Sequence, residues 1–159
     1  MRKIYITQTG LKEVSPIQAH LVEDDWVLCQ LKEDGTPYKF YNADGTPDLI
    51  KEQVEAVEQA RNSIEAEIVA GLDKEAQKYR YDDIKSARAS AGVPLIGDET
   101  PEELAIYNEA LSLARWDRLV WAESSKLEQK ALSGEMAIPS ANPEDANYIW
   151  NYLPSYGGI

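Results

Sequence analysis

Residues 46–79 constrain the fold most, because their pattern predicts one long amphipathic helix. Thr46 is a good N-cap, and Pro47 suits the first helical position, where a missing N–H costs nothing. Apolar residues then recur at steps of three and four, with Arg61 in the one polar slot. The apolar positions are Ile50, Val54, Val57, Ile64, Ile68 and Leu72. This spacing predicts a narrow apolar stripe on a polar helix.

The stripe also predicts an oligomer interface. A helix of this length would extend roughly 50 Å, and long helices depend on packing for their stability. Because the stripe is narrow, we expect neighbouring subunits to cover it, with all six apolar positions in the interface. The spacing averages about 3.6 residues without a strict heptad, so a coiled coil is allowed but not required. The alternative is a helix packed along its own domain.

The region before the helix, residues 1–45, predicts a small β-meander. Strands are expected at residues 4–7, 26–31 and 38–41, with the third pairing back on the second. Residues 9–16 are expected to form a loop. The tetrapeptide Asp-Gly-Thr-Pro occurs at 34–37 and again at 44–47, and it is typical of a turn. A sheet this small has too little core to stand alone.

The remainder, residues 81–159, predicts a compact helical module. Asp82 is a candidate cap for a short helix over 83–91, and Thr100 with Glu103 forms a capping box for a long helix ending near Ser133. A last short helix is expected around Tyr148, followed by a flexible tail over 155–159. With residues 46–80 as a separate long helix, the predicted fold class is mainly α and elongated.

Charge and composition limit the partners. The chain has 16 basic and 28 acidic residues, a net charge of −12, which disfavours nucleic acid and anionic membrane surfaces. No run of eighteen apolar residues occurs, so no membrane insertion is expected. The single cysteine, Cys29, excludes an internal disulfide and fits a reducing compartment.

No residue pattern indicates catalysis, a cofactor or a metal. Neighbouring carboxylates at Asp82 and Asp83 do not face each other on a helix, so they are better explained as a cap and first-turn charge. His20 is the only histidine, and Cys29 lies in a predicted strand as a small hydrophobe. The repeated Asp-Gly-Thr-Pro lacks the spaced oxygen ligands of a calcium loop. We therefore expect a protein that is not an enzyme.

Several motifs in the C-terminal half carry a family resemblance. They are Tyr81-Asp82-Asp83-Ile84 with Ser86-Ala87-Arg88, then Ala91-Gly92-Val93-Pro94, then Ala114-Arg115-Trp116 with Val120-Trp121-Ala122, and Tyr152-Leu153-Pro154. As a set, they resemble small tail-fibre-associated proteins of tailed bacteriophages, over about residues 79–154. The resemblance implies a fibre component or a fibre-assembly chaperone, and it supplies no catalytic residues.

Two roles therefore compete within the resemblance, and we expect the virion component rather than the chaperone, because a long helix with a separate compact end suits a shaft and tip. A structural component would use the long helix to build a homo-oligomer, with a trimer favoured because fibres are commonly trimeric. An assembly chaperone would use an apolar surface to hold immature fibre ends. Either would be made in the host cytoplasm and work with other phage tail or fibre proteins, and the component would reside in the virion tail. A third hypothesis, an enzyme acting on bacterial surface glycan, would need two facing carboxylates, and no pair stands out.

Overall fold

A computed structural model describes residues 2–157 of the chain, and mainly α is the fold class that it shows. The chain divides into two compact units, Met1–Glu55 and Ala56–Ile159. The first unit contains a small antiparallel sheet, and the second is built from helices.

The sheet of the first unit has three strands: β1 (Lys3–Thr7), β2 (Gly10–Val14) and β3 (Val27–Leu28), in the order β2-β1-β3. The predicted first strand is confirmed, and β3 is a shorter version of the second. The loop expected over 9–16 is wrong, because β1 and β2 form a hairpin with Thr7 paired to Gly10. Gly10 takes φ of +116°, which a residue without Cβ adopts readily. A 3₁₀ helix, Pro16–Leu21, follows β2.

The strand predicted over residues 38–41 is absent. Each Asp-Gly-Thr-Pro instead closes a turn in which the Asp side chain accepts from the amide and hydroxyl of the Thr two residues later. Each turn is followed by a single bridge only, Leu31 to Pro37 and Tyr41 to Pro47. Proline has no N–H to donate, so neither bridge extends into a ladder.

The long helix is confirmed as α1 (Leu49–Lys78), but its cap is not Thr46. The Asp48 carboxylate accepts from the Lys51 amide at 3.0 Å, so Asp48 takes that role. The Thr46 carbonyl instead accepts from the Asn42 amide at 2.8 Å, inside the second turn. Thr46 is therefore held in the turn before the helix begins.

The second unit adds α2 (Ile84–Ala91) and α3 (Pro101–Leu132). The capping box of Thr100 and Glu103 is confirmed. The cap of α2 is Asp83 rather than Asp82, since its carboxylate accepts from the Ser86 amide at 2.7 Å. The last predicted helix is only a 3₁₀ turn, Ile149–Asn151.

The core of the second unit joins α1 to α2, α3 and the C-terminal segment. Its buried side chains are Ile68, Leu72, Ala76, Ile84, Ala87, Leu113, Trp116, Val120, Leu127, Ile149 and Leu153. Trp116 stacks on Trp150 at 6.1 Å between ring centroids, and its indole N–H donates to the Pro154 carbonyl at 2.7 Å. These contacts fix the C-terminal segment to α3.

Two further contacts shape this core. Gly71 allows α1 to approach Trp150 closely, because a Cβ there would lie 2.1 Å from the Trp150 ring. In the predicted tail, Tyr156 packs on Tyr79 and Trp116, with ring centroids 5.4 Å apart in both pairs. Residues 158–159 of that tail lie outside the described residues.

Candidate partner-binding surface

The predicted interface stripe is divided between buried and exposed positions. Ile68 and Leu72 have no exposed surface within their own chain, Val57 is buried, and Ile64 is partly buried against the core. At Val57, Ile68 and Leu72 the chain itself covers the stripe, so the expectation that neighbouring subunits cover it does not hold at these three positions. In the first unit, Val54 is half-buried and Ile50 is 78% exposed.

The side chains that cover the stripe come from α3 and the C-terminal segment of the same chain. Leu113, Trp116 and Val120 share the core with Ile68 and Leu72. A narrow stripe is sufficient to pack a long helix when a broad apolar face of another helix in the same chain lies against it. On α3, Leu113 belongs to this buried face, whereas Leu104 is exposed.

The polar slot of the stripe is filled by an ion pair within the second unit. Arg61 Nε donates to Glu128 Oε1 on α3 at 2.9 Å, and this hydrogen bonding raises the pKa of Arg61 above its ordinary value. Beside the pair lies a cavity of about 90 Å³ lined by Val57, Ile64 and Trp121 among others. Arg61 is therefore a partner of α3 rather than a polar residue on a subunit seam.

A continuous group of exposed apolar residues lies where α2 leads into α3. Ile96 is 83% exposed, and its neighbours in the group are between about a third and two thirds exposed. The group, which we call the 93–106 patch, consists of Val93, Leu95, Ile96 and Ile106. All four residues line a shallow concavity of about 400 Å³. Clustered exposed apolar side chains are typical of a surface that binds another molecule.

Glu99 holds the loop that presents Ile96. Its carboxylate accepts from the amides of Ile96 and Gly97, the latter at 3.0 Å. Hydrogen bonds from backbone amides, with that of Glu99 itself the largest contribution, lower the pKa of Glu99. Gly97 takes φ of +94°, a conformation that L side chains rarely adopt. The patch is thus presented by a loop with a defined local structure.

The residues considered above as candidates for catalysis or metal binding have structural roles or ordinary contacts. Asp83 caps α2, and Cys29 is buried, which raises the pKa of its thiol. The Nδ1 atom of the exposed His20 lies 3.1 Å from the Ile17 carbonyl oxygen. Over residues 2–157, no group of three or more His, Cys, Asp or Glu side chains is arranged to hold a metal ion. Within the same residues, no helix is long and apolar enough to cross a membrane.

The sequence analysis missed the 93–106 patch. The available signal was the run of apolar residues around Pro94 in a segment interpreted only as a loop, since loop residues on a surface are usually polar. Comparison with protein-family models, with curated proteins and with solved structures found no match to this chain.

Proposed function

We propose that this chain is a non-catalytic tail-fibre-associated protein of a tailed bacteriophage and that it acts as a fibre-assembly chaperone. Its partner is an apolar segment of an immature fibre polypeptide, held on the 93–106 patch. The observation that carries the proposal is the patch itself: four exposed apolar side chains grouped on one surface of a packed helical unit. A chaperone needs such a surface for chains that have not yet buried their own apolar residues.

The motifs behind the family resemblance support this proposal, because their side chains pack the second unit together. Asp83 caps α2, and Arg88 pairs with Asp117 of α3. Trp116 donates to the carbonyl of Pro154, and Leu153 is buried beside it. Motifs whose residues serve packing are expected when related proteins share a fold but no active site.

The surroundings of the patch suggest which fibre segments it would accept. Asp98, Glu99, Glu102 and Glu103 lie within its sequence range, and the whole chain carries a net charge of −12. An apolar segment flanked by Lys or Arg would therefore associate faster than one flanked by acids. Binding should weaken as salt rises, since exposed charges are screened.

One specific observation supports the second candidate function, a structural component of the virion. Leu49 and Ile50 in the first turn of α1 are both more than half exposed, and Ile50 belongs to the predicted interface. These two residues could join copies of the chain, with a trimer as the expected state. The buried positions of the stripe no longer contribute to this argument, so the chaperone role is the better supported of the two.

Co-expression with the fibre polypeptide of the same phage tests the proposal. A chaperone should raise the yield of soluble trimeric fibre and be absent from purified particles by mass spectrometry. A component should be found in the particles at fixed stoichiometry, which would favour the second candidate. If fibre yield is unchanged and the particles lack the chain, the fibre-associated role is wrong.

A further inference from the structure

We propose that the concave surface between α2 and α3 binds an oxyanion group, either phosphate or carboxylate, through Arg88, Arg115 and Arg118. These three side chains line a cavity of about 340 Å³ with Ala91, Gly92, Leu111 and Ala114. We call it the arginine pocket. The inference does not rest on the proposed chaperone role, because the pocket and the 93–106 patch have no lining residue in common.

Arg115 and Arg118 are available to a ligand, although the chain has 28 acidic residues against 16 basic ones. Within residues 2–157, neither guanidinium makes a hydrogen bond or ion pair with another side chain. Both arginines are exposed, so no packing requirement explains them.

The positions of these arginines on α3 also oppose helix stability. They are three residues apart, so they are neighbours on one face, and like charges at such spacing repel. The residues one turn away from either of them are Leu111, Ser112, Ala114, Leu119, Trp121 and Ala122. No acid is among them to offset the repulsion. A local arrangement that costs stability without compensation is typical of a functional site.

Arg88 adds a third guanidinium from α2, and its position is fixed. Its Nε and Nη2 each donate to a carboxylate oxygen of Asp117 at 2.5 Å, so Nη1 can still donate to a ligand. Asp117 is buried and neutralises only one of the three arginines. Two positive charges therefore remain on this surface.

The chemistry of guanidinium decides the ligand class. Its planar set of donors matches the paired oxygens of a carboxylate or phosphate, and such charge-assisted pairs are among the strongest hydrogen bonds in proteins. Ala91, Leu111 and Ala114 supply an apolar lining between the arginines.

Calorimetric titration of the full chain with pyrophosphate, and separately with citrate, tests the pocket at fixed ionic strength. Saturable binding of at least one anion is the expected result. Tighter binding of pyrophosphate would indicate a phosphate ligand, and tighter binding of citrate would indicate a carboxylate ligand. The double variant R115Q/R118Q should weaken binding at least about tenfold, because two charged donors are lost. Both side chains are exposed and their mutual repulsion is removed, so the variant should unfold at a denaturant concentration no lower than that of the wild type.

The matched control is K74Q/K130Q, which removes the same charge from exposed positions elsewhere in the second unit. It should bind within about twofold of the wild type, since only long-range charge is altered. In ¹⁵N spectra, the Gly92 amide beside the pocket should shift on titration while the Gly134 amide does not. Binding that is absent for both anions, or that falls equally in both double variants, would overturn the proposal.

Discussion

The carboxylate of Asp117 on α3 is 2% exposed and accepts two hydrogen bonds, each 2.5 Å long, from the guanidinium of Arg88 on α2. The Arg88 side chain, by contrast, is 45% exposed. The two partners therefore depend on the pair unequally, because water reaches the cation but not the anion.

Replacing the two partners one at a time should reveal this inequality. R88M leaves a charge buried without a partner and should lower the free energy of unfolding by about 3 kcal/mol. D117N leaves an arginine that water can solvate and should cost less, about 1–2 kcal/mol. Urea denaturation measures both. E128Q, which breaks the more exposed pair with Arg61, is the control and should cost least. Equal losses in all three variants would contradict this explanation.

The close approach of α1 and Trp150 predicts that G71A destabilises the chain although alanine favours helices. The added Cβ would lie 2.1 Å from the indole ring, which must move. Overpacking of this kind costs about 1–3 kcal/mol, against a propensity gain of about 1 kcal/mol. G92A is the matched control, because its Cβ meets nothing closer than 3.4 Å. A G71A variant as stable as the wild type would show that Trp150 lies elsewhere in solution.

Tyr148 predicts a loss of stability at high pH. Burial, together with the hydrogen bond to Glu67, raises the pKa of Tyr148 to about 12. The neutral phenol is thus favoured in the folded state. The contribution of the neutral Tyr148 phenol to stability is complete below the pKa of about 10 that tyrosine has in the unfolded chain. It is lost as the pH rises to about 12. Between about pH 9 and 12, the melting temperature should decline less steeply for Y148F than for the wild type.

Tyr152 provides the control for this titration, because it is an exposed tyrosine of the same segment. Y152F should follow the wild-type decline. If Y148F declines as steeply as the wild type, Tyr148 does not contribute to the pH dependence.

Asp83 predicts a loss of stability at low pH. Its hydrogen bonds from the Ser86 side chain and amide lower the pKa of Asp83. The carboxylate is thus favoured in the folded state. The contribution is present above the unfolded value of about 3.9 and disappears as pH falls through the folded value. D83A should therefore melt below the wild type at neutral pH, with the difference shrinking on acidification. D82A should melt with the wild type at every pH, and an equal loss in D82A would return the cap to Asp82.

The sequence predicted the elements better than their contacts. The start of α3 was located correctly, because a capping box is a local signal that needs no tertiary information. The cover over Ile68 depends on Leu113 and Val120, more than forty residues away, and periodicity within one helix contains no such information. The stripe was therefore assigned to a subunit interface although its own chain buries it.

The two candidate surfaces could not be predicted from the sequence, because they also depend on contacts between distant residues. Ile96 was recognised only as part of a loop, and its exposure follows from how Glu99 holds the turn. Arg115 belongs to a motif, but its position beside Arg88 and Arg118 follows only from the packing of α2 against α3. Exposure and pairing are properties of the assembled fold, and neither can be inferred from residue spacing.

The most direct test of the central claim, that the 93–106 patch holds the fibre polypeptide, is the yield of soluble trimeric fibre on co-expression with patch variants. L95S/I96S should lose most of the assistance given by the wild type, since it removes two exposed anchors without touching the core. V69S/L119S, which changes two exposed apolar residues outside the patch, should assist fully. Full assistance by L95S/I96S, with both variants folded by circular dichroism, would contradict the account.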